Sequence, residues 1–79
     1  KDNERAIDYI RSSIISFEKI DNKPELAPLY ETLGYIYRDE TDNQLAIIYL
    51  KKAIKTYIEI DNKEKAETIK EDMENIKIH

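Results

Sequence analysis

Three groupings of side chains in this sequence have the types and spacing to do chemistry. The run Asp39-Glu40-Thr41-Asp42-Asn43 concentrates oxygen donors of the kind that hold calcium. An EF-hand loop starting there needs glycine and glutamate where this chain has Gln44 and Leu50. The same residues read better as a helix start, because Thr41-x-x-Gln44 matches the capping box, with Thr41 accepting from the Gln44 backbone N–H. The second grouping is Glu67 with Glu71, four apart on a solvated helix face, where two carboxylates repel mildly instead of forming an acid–base dyad. Nucleophilic triads are ruled out by composition: there is no cysteine, and the single histidine is His79, the last residue, read as a frayed end or a tag remnant. No glycine-rich phosphate loop is present. No catalysis, metal or cofactor is expected.

The third grouping is of another kind. On a helix, Pro28, Glu31, Tyr35 and Arg38 fall within about 80° of one another. A tyrosine beside an arginine offers a partner large contact area and directional hydrogen bonds. The bland alternative is a solvated face on which the tyrosine tolerates water. Which reading holds depends on the elements that carry these residues.

One glycine, two prolines and 38% charged residues point to helix almost throughout. Apolar residues placed at helical intervals mark four segments, near 3–20, 25–39, 43–60 and 64–77. The first carries Ala6, Ile7, Tyr9, Ile10, Ile14, Phe17 and Ile20 over about 160°, and the third has an arc of about 180°, so each should touch partners on two sides. The second presents Leu26, Leu29, Tyr30, Leu33, Ile36 and Tyr37. The last has only Ala66, Ile69, Met73 and Ile76, a stripe of about 80° that suits a terminal cap; Met73 reads there as core filler. Asp21-Asn22 and Asp61-Asn62 supply N-cap oxygens. Pro24 fits a first turn, but Pro28 removes an i→i−4 bond, so the second helix is expected to start irregularly and become regular around Ala27. Connections this short make neighbouring helices antiparallel.

The chain also repeats itself. Ile20-Asp21-Asn22-Lys23 returns as Ile60-Asp61-Asn62-Lys63, and the same shift of 40 pairs Ala6 with Ala46, Ile7 with Ile47, Tyr9 with Tyr49, Ile14 with Ile54 and Glu31 with Glu71. A period of that size marks stacked supersecondary units. Tyr30-x2-Leu33-Gly34-x2-Tyr37 followed by Ala46-x3-Leu50 and Ala53 resembles the tetratricopeptide repeat. The unit here is 40 residues instead of 34, and the late proline is missing. Gly34 inside a helix costs about 1 kcal/mol relative to alanine, so it is expected to mark the closest approach of two helices, against Ala46.

The expected architecture is therefore all-α: four antiparallel helices stacked as hairpins in an α-solenoid, with a right-handed offset. Residues 1–22 are the second helix of an incomplete repeat, 23–62 a complete one, and 63–79 a capping helix. The resemblance implies a protein- or peptide-binding scaffold whose groove is lined by Glu31, Tyr35 and Arg38, with Thr68, Glu71 and Asn75 at the aligned positions. Two alternatives stay open: a ligand-sensing region of a bacterial transcription or signalling regulator, and a structural oligomerisation segment. The Lys/Asn carboxylate clamp of some family members is not visible, and Glu31 stands where part of it would be.

Seventy-nine residues with a formal charge of −4 allow one small, acidic domain. That charge opposes nucleic-acid backbones and anionic lipid, and no apolar run approaches a membrane span. A cytoplasmic setting is expected. The chain opens on Lys1 and reads as a fragment of a longer array. The first helix should leave Tyr9, Ile20 and Ile15 uncovered, which invites a symmetric homodimer through that helix.

Overall fold

A computed structural model describes residues 2–76; the readings that involve Lys77 and His79 lie outside the described residues. Four helices follow one another: α1 (Asp2–Lys19), α2 (Lys23–Asp39), α3 (Asn43–Glu59) and α4 (Lys63–Glu74). Each packs on its chain neighbour, α1 on α2, α2 on α3 and α3 on α4, and α1 forms no interface with α4 comparable to that of α2 with α3. The arrangement is an all-α stack of antiparallel hairpins rather than a closed bundle. Among the described residues there is no strand, and no helix is long and apolar enough to cross a membrane.

The three connections are copies of one another at 20-residue intervals. Asp21, Thr41 and Asp61 each adopt a left-handed backbone, with φ of 53°, 62° and 65°. The residue after each of them returns its N–H to the carbonyl of an aromatic five positions earlier: Asn22 to Phe17, Asp42 to Tyr37 and Asn62 to Tyr57. This is the Schellman closure, here without glycine. The closing residue is at once the N-cap of the next helix, since Asn22, Asp42 and Asn62 accept from the N–H groups of Glu25, Leu45 and Lys65. Thr41 is thus not the cap. Its left-handed backbone turns it out of the capping position, its hydroxyl donates to the Glu40 carbonyl, and Asp42 takes the role instead. The acidic cluster is a helix junction, though not through the expected box.

Two further expectations are corrected. α2 is helical from Lys23 onward despite Pro28, because Pro24 lies in the first turn and Pro28 faces solvent, so one lost N–H bond does not disturb the entry. α4 ends at Glu74, not at 77: the N–H groups of Asn75 and Ile76 close tighter turns onto Asp72 and Met73.

The core runs along the stack, with Leu33 of α2, Leu50 of α3 and Ile69 of α4 fully buried. Gly34 marks a close approach of α2 to α3, and the atoms nearest to it belong to Leu50, not Ala46. A Cβ at Gly34 would lie 2.6 and 2.7 Å from Leu50 Cδ2 and Cγ and 3.2 Å from its backbone nitrogen. Tyrosines flank this contact: Tyr49 stacks on Tyr37 at 5.8 Å and tilts against Tyr30 at 6.5 Å. Tyrosine hydroxyls then tie helix to helix. Tyr30 donates to Glu18 of α1, Tyr57 donates to Glu31 of α2, and Tyr37 accepts from Arg11 of α1. The last two pairs share a separation of 26 residues, so successive helices repeat one packing relation.

Two substitutions test these features. Gly34→Ala is expected to lower stability in urea denaturation, because overpacking costs about 1–3 kcal/mol and outweighs a helix-propensity gain of about 1 kcal/mol. Gly34→Leu should lower it further. An alanine variant more stable than the parent would mean that Leu50 can move aside freely. Thr41→Asn should raise stability by about 0.5–1 kcal/mol in thermal denaturation, since asparagine tolerates the left-handed region and a β-branched residue does not. No gain would show that the threonine is unstrained there.

Candidate functional site

The face carrying Glu31, Tyr35 and Arg38 turns toward α4, and its three residues meet different fates. Glu31 is a junction of three helices. Its Oε1 accepts from Tyr57 of α3 at 2.8 Å, its Oε2 pairs with Lys65 Nζ of α4 at 2.9 Å, and its side chain is 15% exposed. A carboxylate held on both oxygens positions the helices more than it meets a partner. Tyr35 is half-buried and donates to Asp72 Oδ2 of α4 at 2.7 Å. Arg38 is exposed and lays its guanidinium 4.7 Å from the centre of the Tyr35 ring. It also pairs with exposed Asp39 at 3.6 Å, a contact worth little in water.

Beyond Tyr35, the C-terminal ends of α2 and α4 and the start of α3 enclose a cavity of about 240 Å³ lined by Arg38, Asn43, Asp72, Asn75 and Ile76. Arg38 and Asn75 are thus brought to one place, with Tyr35 supporting the wall. Glu71 and Thr68 are exposed on α4 and do not line this cavity, and the Thr68 hydroxyl donates to the Glu64 carbonyl of its own helix. The α4 residues that face α2 are Lys65 and Asp72. The 40-residue alignment misses them because the facing pairs, Glu31 with Lys65 and Tyr35 with Asp72, lie 34 and 37 residues apart: α4 is staggered along its axis relative to α2. The signal available in the sequence was chemical. A phenol on a packed face needs an acceptor, and Asp72 stands one position from the aligned stripe.

A second concavity, about 470 Å³, lies between α3 and α4. Ile54, Ile58, Ala66 and Met73 form its floor, and its rim is of mixed charge, with Lys51, Lys55 and Lys70 beside Glu59 and Glu67. Sequence reasoning assigned it nothing. Among the described residues no cluster of three histidine, cysteine, aspartate or glutamate side chains is placed to hold a metal.

The phenols of Tyr30, Tyr35 and Tyr57 are all pushed well above their ordinary value near 10, first by burial and then by donating to the carboxylates of Glu18, Asp72 and Glu31. At neutral pH they act as hydrogen-bond donors. Below about pH 10 both folded and unfolded chains keep these protons. Above it the unfolded chain releases them while the folded chain holds on, so stability falls as pH rises. Urea midpoints should hold up to about pH 10 and fall progressively as pH rises beyond it. Tyr57→Phe should flatten that drop, and should weaken the protein at neutral pH by about 1–2 kcal/mol through the lost bond to Glu31. A Tyr57→Phe variant with the parent's pH dependence would mean that this phenol is not linked to folding. Compared with protein-family models, characterised proteins and solved structures, the chain matches none of them.

Proposed function

We propose that this chain is a protein- or peptide-binding scaffold of the tetratricopeptide type, acting by recognition and not by catalysis. The observation that supports this reading best is the Arg38–Tyr35–Asp72 cluster at the edge of the cavity between α2 and α4. Tyr35 is fixed from both sides, by the Asp72 carboxylate at its hydroxyl and the Arg38 guanidinium over its ring. A pre-positioned aromatic loses little rotamer freedom when a partner arrives. Arg38 keeps outward-facing donors, while Asp72, with Glu71 nearby on the same helix, offers acceptors. Glu31 contributes by holding the walls, and Asn75 by offering an amide at the far end. The ligand that fits is a short segment of basic or mixed charge with a group able to lie against the Tyr35–Arg38 stack.

Selection of a displayed peptide library on the 79-residue chain tests this reading. Enriched peptides should bind the parent and lose about 30-fold or more in affinity to a Tyr35→Ala/Arg38→Ala double variant, the equivalent of about 2 kcal/mol at a hot spot. Arg38→Ala alone removes an exposed side chain without touching the Tyr35–Asp72 bond, so its loss separates recognition from folding. Peptides that bind parent and variants equally would place the recognition surface elsewhere.

A further inference from the structure

We infer that the cavity between α2 and α4 takes a lysine side chain of the ligand, with Asp72 as the carboxylate that receives its ammonium group. The inference rests on the peptide-binding reading and names the residue that this surface selects. Asp72 is half-buried, lines the cavity, and accepts from the Tyr35 hydroxyl on Oδ2 at 2.7 Å. Among the described residues its other oxygen, Oδ1, has no hydrogen-bond or ion-pair partner. The chain itself shows what completes such a group. Glu31 also accepts a tyrosine hydroxyl on one oxygen, from Tyr57, and its second oxygen holds the ammonium of Lys65 at 2.9 Å. At Asp72 no lysine or arginine of the described chain takes that second place. Arg38 is the one cation, among the described residues, that lines the cavity with it. Its guanidinium lies 4.7 Å from the centre of the Tyr35 ring and pairs through Nε with Asp39 at 3.6 Å, not with Asp72.

Size and donor geometry choose lysine. At about 240 Å³ the cavity falls below the roughly 300–1,000 Å³ of sites that enclose whole small molecules, and it suits a single side chain. Ile76 offers apolar surface to the aliphatic stem, and Asn75 a carboxamide oxygen to a second N–H of the ammonium. An arginine fork binds best to both oxygens of a carboxylate in parallel. Tyr35 already occupies one of them, so a point-like ammonium, which needs only the other, fits better. This is the arrangement that Lys65 adopts on Glu31. Arg38 opposes a second positive charge in the cavity, but Asp39 offsets it. Its remaining N–H groups are left for carbonyl oxygens of the ligand backbone.

Peptides enriched from a displayed library on the parent chain serve as the probes. Each family whose binding depends on Tyr35 and Arg38 should carry a lysine at one fixed position. One such peptide is then titrated by calorimetry in three forms, with that lysine free, acetylated or replaced by arginine. On the parent, acetylation should cost about 10-fold or more in affinity, because a charge-assisted bond is lost, and the arginine form should bind more weakly than the lysine form. Asp72→Asn keeps an oxygen for the Tyr35 hydroxyl but removes the charge, so on this variant the free and acetylated forms should bind alike. Families without a fixed lysine would overturn the inference and leave the peptide-binding reading standing. So would an acetylation cost equal on both proteins, or an arginine form that matches lysine on the parent. A library that yields no peptide dependent on Tyr35 and Arg38 would remove both. The acetyl and arginine forms need only the parent, so the decision holds even if Asp72→Asn fails to fold.

Discussion

The approach of α2 to α3 at Gly34 fixes the distances on which the other contacts depend. With no side chain at that point, Leu50 lies almost on the α2 backbone, and the two helices are drawn together along their shared length. Only at that separation can Tyr49 reach both Tyr37 and Tyr30, and only then can the Tyr57 hydroxyl meet Glu31. Glu31 in turn holds Lys65, which orients α4 and brings Asp72 under Tyr35. The candidate binding cavity is thus a downstream product of a glycine that never touches it.

The polar bonds in this chain add specificity to that apolar framework. A tyrosine hydroxyl donated to a carboxylate across two helices has one satisfactory geometry, whereas leucines tolerate small slips. Glu18, Glu31 and Asp72 each accept such a bond from a different tyrosine, and Arg11 donates to a fourth. In a domain of this size a few such bonds can fix the register of helices whose apolar arcs would otherwise permit several.

What the sequence made legible was whatever is set by period and local chemistry: four helices, their faces, their order, and the exposure of Tyr9, Ile15 and Ile20, all three of which lie mostly in solvent. What it hid depends on distances between elements. Thr41 was misread because a capping pattern says nothing about a preceding left-handed residue, and Asp42 is an equally good cap one step on. Gly34 was correctly placed at a close approach, yet its neighbour is Leu50, since the alignment of motifs does not reveal which residue of the facing turn projects into the gap. Of the face assigned to recognition, Arg38 and Asn75 line the cavity, and Tyr35 stands behind it, bonded to Asp72 and beneath Arg38. Glu31 is taken up by helix contacts, and Asp72 stands where Glu71 was expected, because the stagger of α4 cannot be read from a repeat length.

The nearest-neighbour pattern of helix packing has a kinetic side. Almost every contact joins segments separated by one three-residue connection, so little loop entropy must be surrendered before native contacts form. Chains with such local contacts fold in microseconds to milliseconds, and a hairpin such as α2–α3 can form a nucleus before either end is in place. Unfolding runs the same path backwards, from the ends inward. Helices α1 and α4, each packed mainly against one neighbour, open at lower free energy than the α2–α3 pair, so the chain passes through states in which its middle is still whole.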